Sequence, residues 1–420
     1  MNNLPIIVIG AGASGLIVCK KLLKQGKKII LLEARDRVGG RIHSFKSGEH
    51  VFEAGAEFIH GNLPLTIGLL HEYKIKFFHT AGVMARIEKG KVKKTDEFIE
   101  DWDKLMQEMS NLKSDLPLTD FLSQHFSDEK FDKLRETVGR FAEGFDLADP
   151  ATASTLSLYQ EWVSEGDEEQ YRIPDGYNKL IDVMLKDCMS RGCDLHLSTP
   201  VTKIEWRKDF VKVIDTSGRE FSGSQVVITV PLSVLQSGHI LFTPDVPQLK
   251  VVHQIGYGTV IKMLFECSSA FWETSIKKLG FIFSDQTVPT WWTQLPIHQP
   301  MLTGWLGGSR AKQLERKSDD ELSEIAIESL ANIFGESAAT IQSHIIKPNI
   351  FNWSKDPYAL GAYSFPTVET RNARKILNEP IEHTIFFAGE ALFDGPCGGT
   401  VEAAFKSGTD IAKKIIDMNL

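Results

Sequence analysis

A glycine-rich loop between an apolar run and an amphipathic run is the feature that most constrains this chain. The loop reads Gly10-Ala11-Gly12-Ala13-Ser14-Gly15 and follows the apolar run Pro5–Ile9. That run predicts a buried parallel strand, and the helical spacing of Ser14–Gln25 predicts a helix that ends at Gly26. Lys28–Leu32 is a second predicted strand. The order and length of these elements predict a βαβ crossover at the start of an α/β domain.

The same unit has the pattern of a dinucleotide site. Such a loop brings backbone N–H groups to a pyrophosphate, and the helix N-terminus adds a favourable dipole. Glu33 lies 18 residues after Gly15, where a carboxylate can accept hydrogen bonds from ribose hydroxyls. A lone glycine motif is weak evidence, but strand, helix, strand and acid in register predict a Rossmann-like fold. The predicted cofactor-binding residues of this unit are Gly10, Gly12, Ala13, Ser14, Gly15 and Glu33.

The residues after the second strand distinguish FAD from NAD. The run Glu33-Ala34-Arg35-Asp36-Arg37-Val38-Gly39-Gly40-Arg41 resembles the flavin-dependent amine oxidase family, whose members carry E-x-R-x-R-x-G-G-R. The resemblance implies that Arg35 and Arg41 contact the adenosine and pyrophosphate of FAD, a role that suits the bidentate hydrogen bonds of arginine. It also implies cofactor contacts for Ala34, Gly39 and Gly40.

The resemblance covers almost the whole chain. Gly55-Ala56-Glu57-Phe58-Ile59-His60-Gly61 is similar to the segment that passes the flavin ring, in the polyamine-oxidase version that ends in I-H-G. It implies cofactor contacts for Ala56, Glu57 and Phe58, and a substrate-facing role for His60. Pro200-Val201-Thr202 matches the strand whose backbone at Val201 meets the adenine.

Two C-terminal segments match the family's last FAD motif, Phe387-Ala388-Gly389-Glu390 and Gly399-Thr400-Val401-Glu402-Ala403-Ala404. The resemblance implies that Glu390 contacts the cofactor and that Thr400 and Val401 present backbone N–H groups to the flavin. Gly389 and Gly399 belong to the same predicted set. A helix that begins there would stabilise negative charge on the reduced flavin.

Lys262 is the strongest candidate for chemistry. Strand alternation puts it on one face with Val260 and Leu264, and a lysine among apolar neighbours is costly unless it is partnered or exposed. The resemblance implies that it holds a water against flavin N5 and assists the reaction with dioxygen. The alternative is an edge-strand lysine that discourages aggregation. The surrounding motifs favour the functional interpretation.

The substrate side is defined by Trp353-Ser354-Lys355-Asp356-Pro357 and Gly361-Ala362-Tyr363-Ser364, which resemble the family's W-x-x-D-P and G-x-Y-S segments. Tyr363 is expected to form one wall of an aromatic cage for amines, with Trp353 near it. Ala362 occupies the place of the cysteine that is bonded to FAD in mitochondrial monoamine oxidases, so non-covalent FAD is expected. Thr400 occupies the place of the second cage tyrosine, so the cage is expected to be incomplete or differently built.

Other pocket residues stay open at this point. Aromatic side chains of the middle of the chain could line the pocket, and a glutamate there could meet the second ammonium of a diamine. These candidates are Trp291, Trp292, Phe141, Phe145, Glu143 and Glu161.

Charge and cysteine content exclude several classes of protein. A net charge of -8 argues against a nucleic-acid partner. The five cysteines include no C-x-x-C pair, so we expect no disulfide framework and no metal site. We expect no signal peptide, and no transmembrane span because no apolar run is long enough to cross a membrane. The expectation is a cytoplasmic protein with an amine and O2 as partners, and with homo-oligomerisation left open.

The expected fold is a two-domain α/β flavoprotein. Residues 1–80, 190–245 and 380–420 would form a discontinuous Rossmann-like FAD-binding domain, and 81–189 and 246–379 an α+β substrate domain. The resemblance implies oxidation of an amine C–N bond to an imine by hydride transfer to flavin N5. The imine is then hydrolysed to an aldehyde or ketone, and O2 is reduced to H2O2.

Three alternatives remain. The protein could be an FAD-dependent oxidase or desaturase of a non-amine substrate, or an amine dehydrogenase that uses another electron acceptor. It could also be a non-catalytic flavin-binding interaction protein. The Lys262 and Tyr363 segments favour amine chemistry.

Overall fold

The computed structural model describes residues 4–48, 50–61, 63–88, 91–93, 99, 101–164 and 170–418, without the side chains of 88 and 91–93. Two large sheets organise this part of the chain. The first is parallel and contains the predicted βαβ unit, and the second has seven strands.

The parallel sheet has five strands and is buried on both faces, which is why its strands are continuous apolar runs. Ile6 and Val8 point to one core, and Ile7 and Ile9 point to the other. In spatial order the strands are Asp194–His196, Ile29–Leu32, Ile6–Ile9, Gln225–Ile228 and Ile385–Phe387.

Helices cover one face of this sheet, and a small four-stranded mixed sheet covers the other. The helices of the first face are Ala13–Lys24, Pro64–Glu72, Asn178–Ser190 and Val401–Asp417. The second face packs against strands Val201–Arg207, Phe210–Asp215, Glu220–Gly223 and Leu241–Thr243, helices Leu232–Gln236 and Thr370–Leu377, and the 3-10 helix Pro247–Gln254.

The seven-stranded sheet carries Lys262 on an interior strand, the second from one edge. Val260–Cys267 pairs with Met301–Gly307 on one side and with Ile345–Asn352 on the other. Because the Lys262 strand is paired on both sides, the alternative of an edge-strand lysine is excluded. The remaining strands of this sheet are Thr290–Trp292, Leu279–Ser284, Val83–Glu88 and Lys91–Lys93, and its helices are Gly308–Leu314, Asp319–Phe334 and Ala338–His344.

A helical group and several short strands complete the described chain. The helical group is Trp102–Ser110, Leu118–His125, Asp132–Gly144 and Thr155–Ser164. The short strands form the pairs Ser44–Ser47 with His50–Glu53 and Gly256–Tyr257 with Ser364–Phe365, and the trio Ile59–His60, Gln170–Arg172 and Phe78–His79. The short 3-10 helices are Glu129–Phe131, Phe271–Thr274, Trp353–Lys355 and Glu390–Leu392.

Packing assigns three segments differently from the predicted domain boundaries. Asn178–Ser190 packs against Ala13–Lys24 in the core of the parallel sheet, although the boundaries place it in the substrate domain. Thr370–Leu377 and Pro247–Gln254 pack together on the opposite face of the same sheet. The division into domains stays a prediction, with these segments on the side of the parallel sheet.

Within the described ranges, no helix is both long and apolar enough to cross a membrane. The same residues contain no group of three or more His, Cys, Asp and Glu side chains that could hold a metal ion.

Two glycines of the loop are required by close approach. Gly10 has a φ of 104°, and a Cβ there would lie 2.7 Å from Thr229 Oγ1. A Cβ on Gly15 would lie 1.9 Å from the carbonyl oxygen of Gly10. Gly15 therefore lets the first helix pack directly on the loop that precedes it.

We predict that Gly15→Ala destabilises the protein by about 3 kcal/mol, because the added methyl group meets backbone rather than a movable side chain. Gly68→Ala is the matched control, since Gly68 also lies in a helix but has open space around its Cβ position. It should stabilise the protein by about 0.5–1 kcal/mol through helix propensity. Urea unfolding of both variants measures the difference, and equal effects would contradict the packing argument.

Candidate active site

A cavity of about 1230 Å³ extends between the parallel sheet and the seven-stranded sheet. Every predicted cofactor-binding and catalytic residue lines it, except Gly15. Residues from the two ends of the chain and from its middle thus meet around one space. Its volume slightly exceeds the usual range for small-molecule sites, as a site for a large cofactor and a substrate requires.

The glycine-loop end of the cavity fits the phosphates and ribose of a dinucleotide. Glu33 is buried, and its carboxylate accepts hydrogen bonds from the backbone N–H groups of Ala11, at 2.8 Å, and Arg35, at 3.0 Å. The Ser14 hydroxyl is buried at the N-terminus of the first helix and has no hydrogen-bond partner among the described residues. A phosphate oxygen in the cavity would satisfy it.

Two arginines line the same region and are held by carboxylates. Arg35 forms an ion pair of 2.5 Å with Asp356. Arg41 donates to Glu390 at 2.8 Å and to the carbonyl oxygen of Ala362 at 2.6 Å. Glu390 is thereby fixed against Arg41, and both side chains reach the cavity. Their contacts with the cofactor stay predictions.

The C-terminal helix, Val401–Asp417, begins at the cavity wall. Thr400 is its N-cap and accepts a hydrogen bond from the backbone N–H of Ala403 at 3.2 Å. The Tyr363 ring lies against Gly399, where a Cβ would come within 2.8 Å of it. The Tyr363 hydroxyl donates to the carbonyl oxygen of Phe145 at 2.6 Å. The Tyr363 side chain is therefore held at the C-terminal end of helix Asp132–Gly144.

Lys262 is 1% exposed and lies in a cluster of buried charges. Its Nζ donates to Glu57 Oε2 at 2.6 Å and to the carbonyl oxygen of Gly55 at 3.0 Å. The other oxygen of Glu57 accepts from Arg172, at 2.9 Å, and from the indole N–H of Trp292, at 3.0 Å. Burial raises the pKa of the Glu57 carboxyl, but the charges of Lys262 and Arg172 outweigh burial, so the pKa lies below its ordinary value.

This cluster extends what the sequence indicated. Glu57 was predicted as a cofactor residue, and its carboxylate is engaged by Lys262, Arg172 and Trp292. The role of Arg172 in the site was missed. Buried charges are normally paired. Glu57 in an apolar loop and Lys262 in an apolar strand could therefore have indicated a cluster of paired charges.

Aromatic side chains form the wall next to the lysine. The indole N–H of Trp353 donates to the carbonyl oxygen of Ala54 at 2.9 Å. The ring of Trp292 lies 5.4 Å from Phe58 and 6.1 Å from Trp305, between ring centroids. Trp291 faces the opposite side of the sheet, in the core beside Phe265, so it is not a pocket residue. The other open candidates, Trp292, Phe141, Phe145, Glu143 and Glu161, line the cavity.

His60 lines the cavity beside Phe145, with 5.8 Å between the ring centroids. Its Nδ1 is 3.2 Å from the Gln170 amide nitrogen. Burial lowers the pKa of His60 to about 4, so the imidazole is neutral at neutral pH. His60 therefore contributes a polar surface without a positive charge.

The sequence pattern of flavin containing amine oxidoreductases matches residues 13–416. The chain belongs to that family. The predicted family, fold class and FAD cofactor are confirmed.

Among the relatives is lysine-specific histone demethylase 1B of Mus musculus, 26% identical over 451 residues, which cover 99% of this chain and 53% of the relative. The chain thus spans about half the length of that demethylase. Polyamine oxidase 2 of Arabidopsis thaliana is 25% identical over 448 residues, with 98% of this chain and 89% of the relative covered.

Two solved structures have the same fold. Putrescine oxidase bound to putrescine superposes with a TM-score of 0.83 at 21% identity. Cyclohexylamine oxidase from Brevibacterium oxydans IH-35A superposes with a TM-score of 0.82 at 19% identity. In both cases 99% of each chain is covered.

Glu53 is a second acid near the lysine cluster and makes a pH prediction possible. It is partly buried, and its carboxyl accepts from Tyr177 N at 2.5 Å and from Ser44 Oγ at 2.8 Å. Burial raises its pKa from 4.5 to about 8. The folded protein therefore keeps Glu53 protonated at pH values where the unfolded chain ionises it.

We predict that this contribution to stability is complete below pH 4.5 and is lost as the pH rises through about 8. Glu53→Gln should flatten the dependence of the unfolding free energy on pH across that range. Urea midpoints at a series of pH values measure it, with Glu328→Gln, an exposed helical glutamate, as the control. A Glu53→Gln curve parallel to that of the unmodified protein would refute the prediction.

Proposed function

We propose that the protein is an FAD-dependent amine oxidase that converts the C–N bond of a small-molecule amine to an imine and uses O2 as electron acceptor. One observation carries the proposal: Lys262 and the wall formed by Tyr363 and Trp353 border the same cavity as the dinucleotide loop. A store or carrier of FAD would not need a buried lysine and an aromatic wall at that place.

FAD, when bound, supplies the two-electron chemistry, since it can accept a hydride from the carbon next to nitrogen and pass two electrons to O2. In balance, a primary amine, water and O2 give an aldehyde, ammonia and H2O2. The chain itself binds and orients the amine and limits the access of water. Phe58, Trp292 and Trp305 provide an apolar wall for the substrate body, and Tyr363 attracts the amine group.

Three further features belong to the proposal. Ala362 lines the cavity and offers no nucleophilic atom, which supports non-covalent FAD. Glu143 and Glu161 are candidates to bind a second ammonium of a longer substrate. The five cysteines are free thiols, which supports action in a reducing compartment such as the cytoplasm.

The proposed function makes a prediction about the substrate. Anaerobic mixing of the yellow holoenzyme with a panel of monoamines, diamines, polyamines and amino acids should bleach the oxidised-flavin absorbance with at least one class of amine. Air should then restore the absorbance and yield H2O2. Bleaching without fast recovery in air would indicate a dehydrogenase, and no bleaching by any amine would overturn amine oxidation.

The proposed function also makes a prediction about Lys262. Lys262→Met should retain FAD, because Glu57 keeps Arg172 as an ionic partner at 2.9 Å. Its reduced form should react with O2 more slowly by at least about tenfold, the scale expected when one positioned charged group is removed. Stopped-flow reoxidation measures the rate, with Lys347→Met, on an exposed position of the adjacent strand, as the control. Equal oxygen kinetics in the two variants would remove Lys262 from the reaction.

A further inference from the structure

The hydrogen bonds of Lys262 with the described residues use two of its N–H groups and leave the third for the cavity. An ammonium group carries three N–H donors. Among the residues that the structure describes, two acceptors are within hydrogen-bond distance of Nζ, Glu57 Oε2 at 2.6 Å and the carbonyl oxygen of Gly55 at 3.0 Å. Because Lys262 also lines the cavity, the direction of the third N–H depends on these two acceptors.

Glu57 is itself held in one orientation. Its Oε1 accepts from Arg172 at 2.9 Å and from Trp292 Nε1 at 3.0 Å. Arg172 is in turn fixed by the carbonyl oxygen of Thr293, at 2.8 Å, and by the Phe58 ring, 4.6 Å away. The carboxylate therefore cannot rotate without breaking bonds to two other strands.

We propose that Glu57 is a positioning residue, which orients the Lys262 ammonium toward the cavity and so acts on the reaction with O2 through Lys262. The proposal rests on the function proposed above for Lys262. A lysine side chain has four flexible methylene groups, and the backbone carbonyl of Gly55 alone does not define its direction. Glu57 supplies the second fixed point.

A simpler role for Glu57 would be to neutralise two buried cations. The two roles predict different results for Glu57→Asp, because aspartate keeps the charge but shortens the side chain by one methylene group. Charge neutralisation survives that change, whereas the contact with Lys262 at 2.6 Å does not. Glu57→Asp should also fold, since no buried cation loses its counter-charge.

The test measures reoxidation by O2 of holoenzyme that has been reduced anaerobically with dithionite, so it does not depend on knowing the substrate. We expect Glu57→Asp to slow reoxidation on the order of tenfold, as for a displaced catalytic group. In the Lys262→Met background the same change should have no further effect. A slowing of equal size in both backgrounds would overturn the proposal, and so would wild-type kinetics of Glu57→Asp.

The matched control is Glu53→Asp, the same substitution four residues earlier in the chain. Glu53 bonds to Tyr177 N and Ser44 Oγ and does not line the cavity. Its variant should reoxidise at the wild-type rate. A comparable slowing of Glu53→Asp would show that any disturbance of this segment suffices, and would overturn a specific role for Glu57.

The reduction potential of bound FAD gives a second readout that does not involve turnover. A cation directed at a cofactor that gains electrons raises the potential, so both Lys262→Met and Glu57→Asp should lower it. Because aspartate keeps the charge of Glu57, a lower potential in Glu57→Asp would come from the changed direction of the Lys262 ammonium. An unchanged potential would contradict the proposal.

The roles proposed for Lys262 and for Glu57 can be refuted separately. Wild-type reoxidation of Lys262→Met would refute the function proposed for Lys262, and the role of Glu57 with it. Slow Lys262→Met together with fast Glu57→Asp would refute only the role of Glu57. Should Glu57→Asp lose FAD, Trp292→Phe removes one bond that holds the carboxylate and leaves both cations paired. It should then show the slowing, and unaltered oxygen kinetics would count against the proposal.

Discussion

The geometry of the site depends on the ion pairs that the buried carboxylate of Glu57 forms with Lys262 and Arg172. Lys262 and Arg172 reach it from two different sheets, with 2.6 and 2.9 Å between the paired atoms. Either cation alone in this interior would be costly, and loss of one partner of a buried ion pair typically costs about 3–5 kcal/mol. The loop that carries Glu57 is therefore held at a fixed distance from the strand that carries Lys262.

The opposite end of the cavity is set by backbone rather than by charge. The first helix approaches the glycine loop so closely that a Cβ at Gly15 would lie 1.9 Å from a carbonyl oxygen. This approach brings the helix N-terminus and the Ser14 hydroxyl to the cavity. The ion pair of Arg41 with Glu390 links the segment after the second strand to the segment before the C-terminal helix.

Local patterns predicted the elements that are local in origin. The βαβ unit follows from the spacing of apolar residues within its two strands and its helix. The interior position of the Lys262 strand could not be predicted in this way, because its neighbours are Met301–Gly307 and Ile345–Asn352, far along the chain. Trp291 and Trp292 show the same limit of local prediction. Strand alternation predicts that their side chains point to opposite faces of the sheet. Which of the two faces the cavity depends on how the whole sheet is assembled.

The charges of the site also bear on the form in which an amine reacts. The carboxylate of Glu57 is engaged by Lys262 and Arg172, so it offers little attraction to a further cation. His60 is neutral at neutral pH because burial lowers its pKa to about 4. An amine placed beside Lys262 would meet a like charge, which favours the neutral amine over its protonated form. Only a neutral amine has a nitrogen lone pair to assist hydride loss, so in the proposed reaction the charge of Lys262 would favour the reactive form of the substrate.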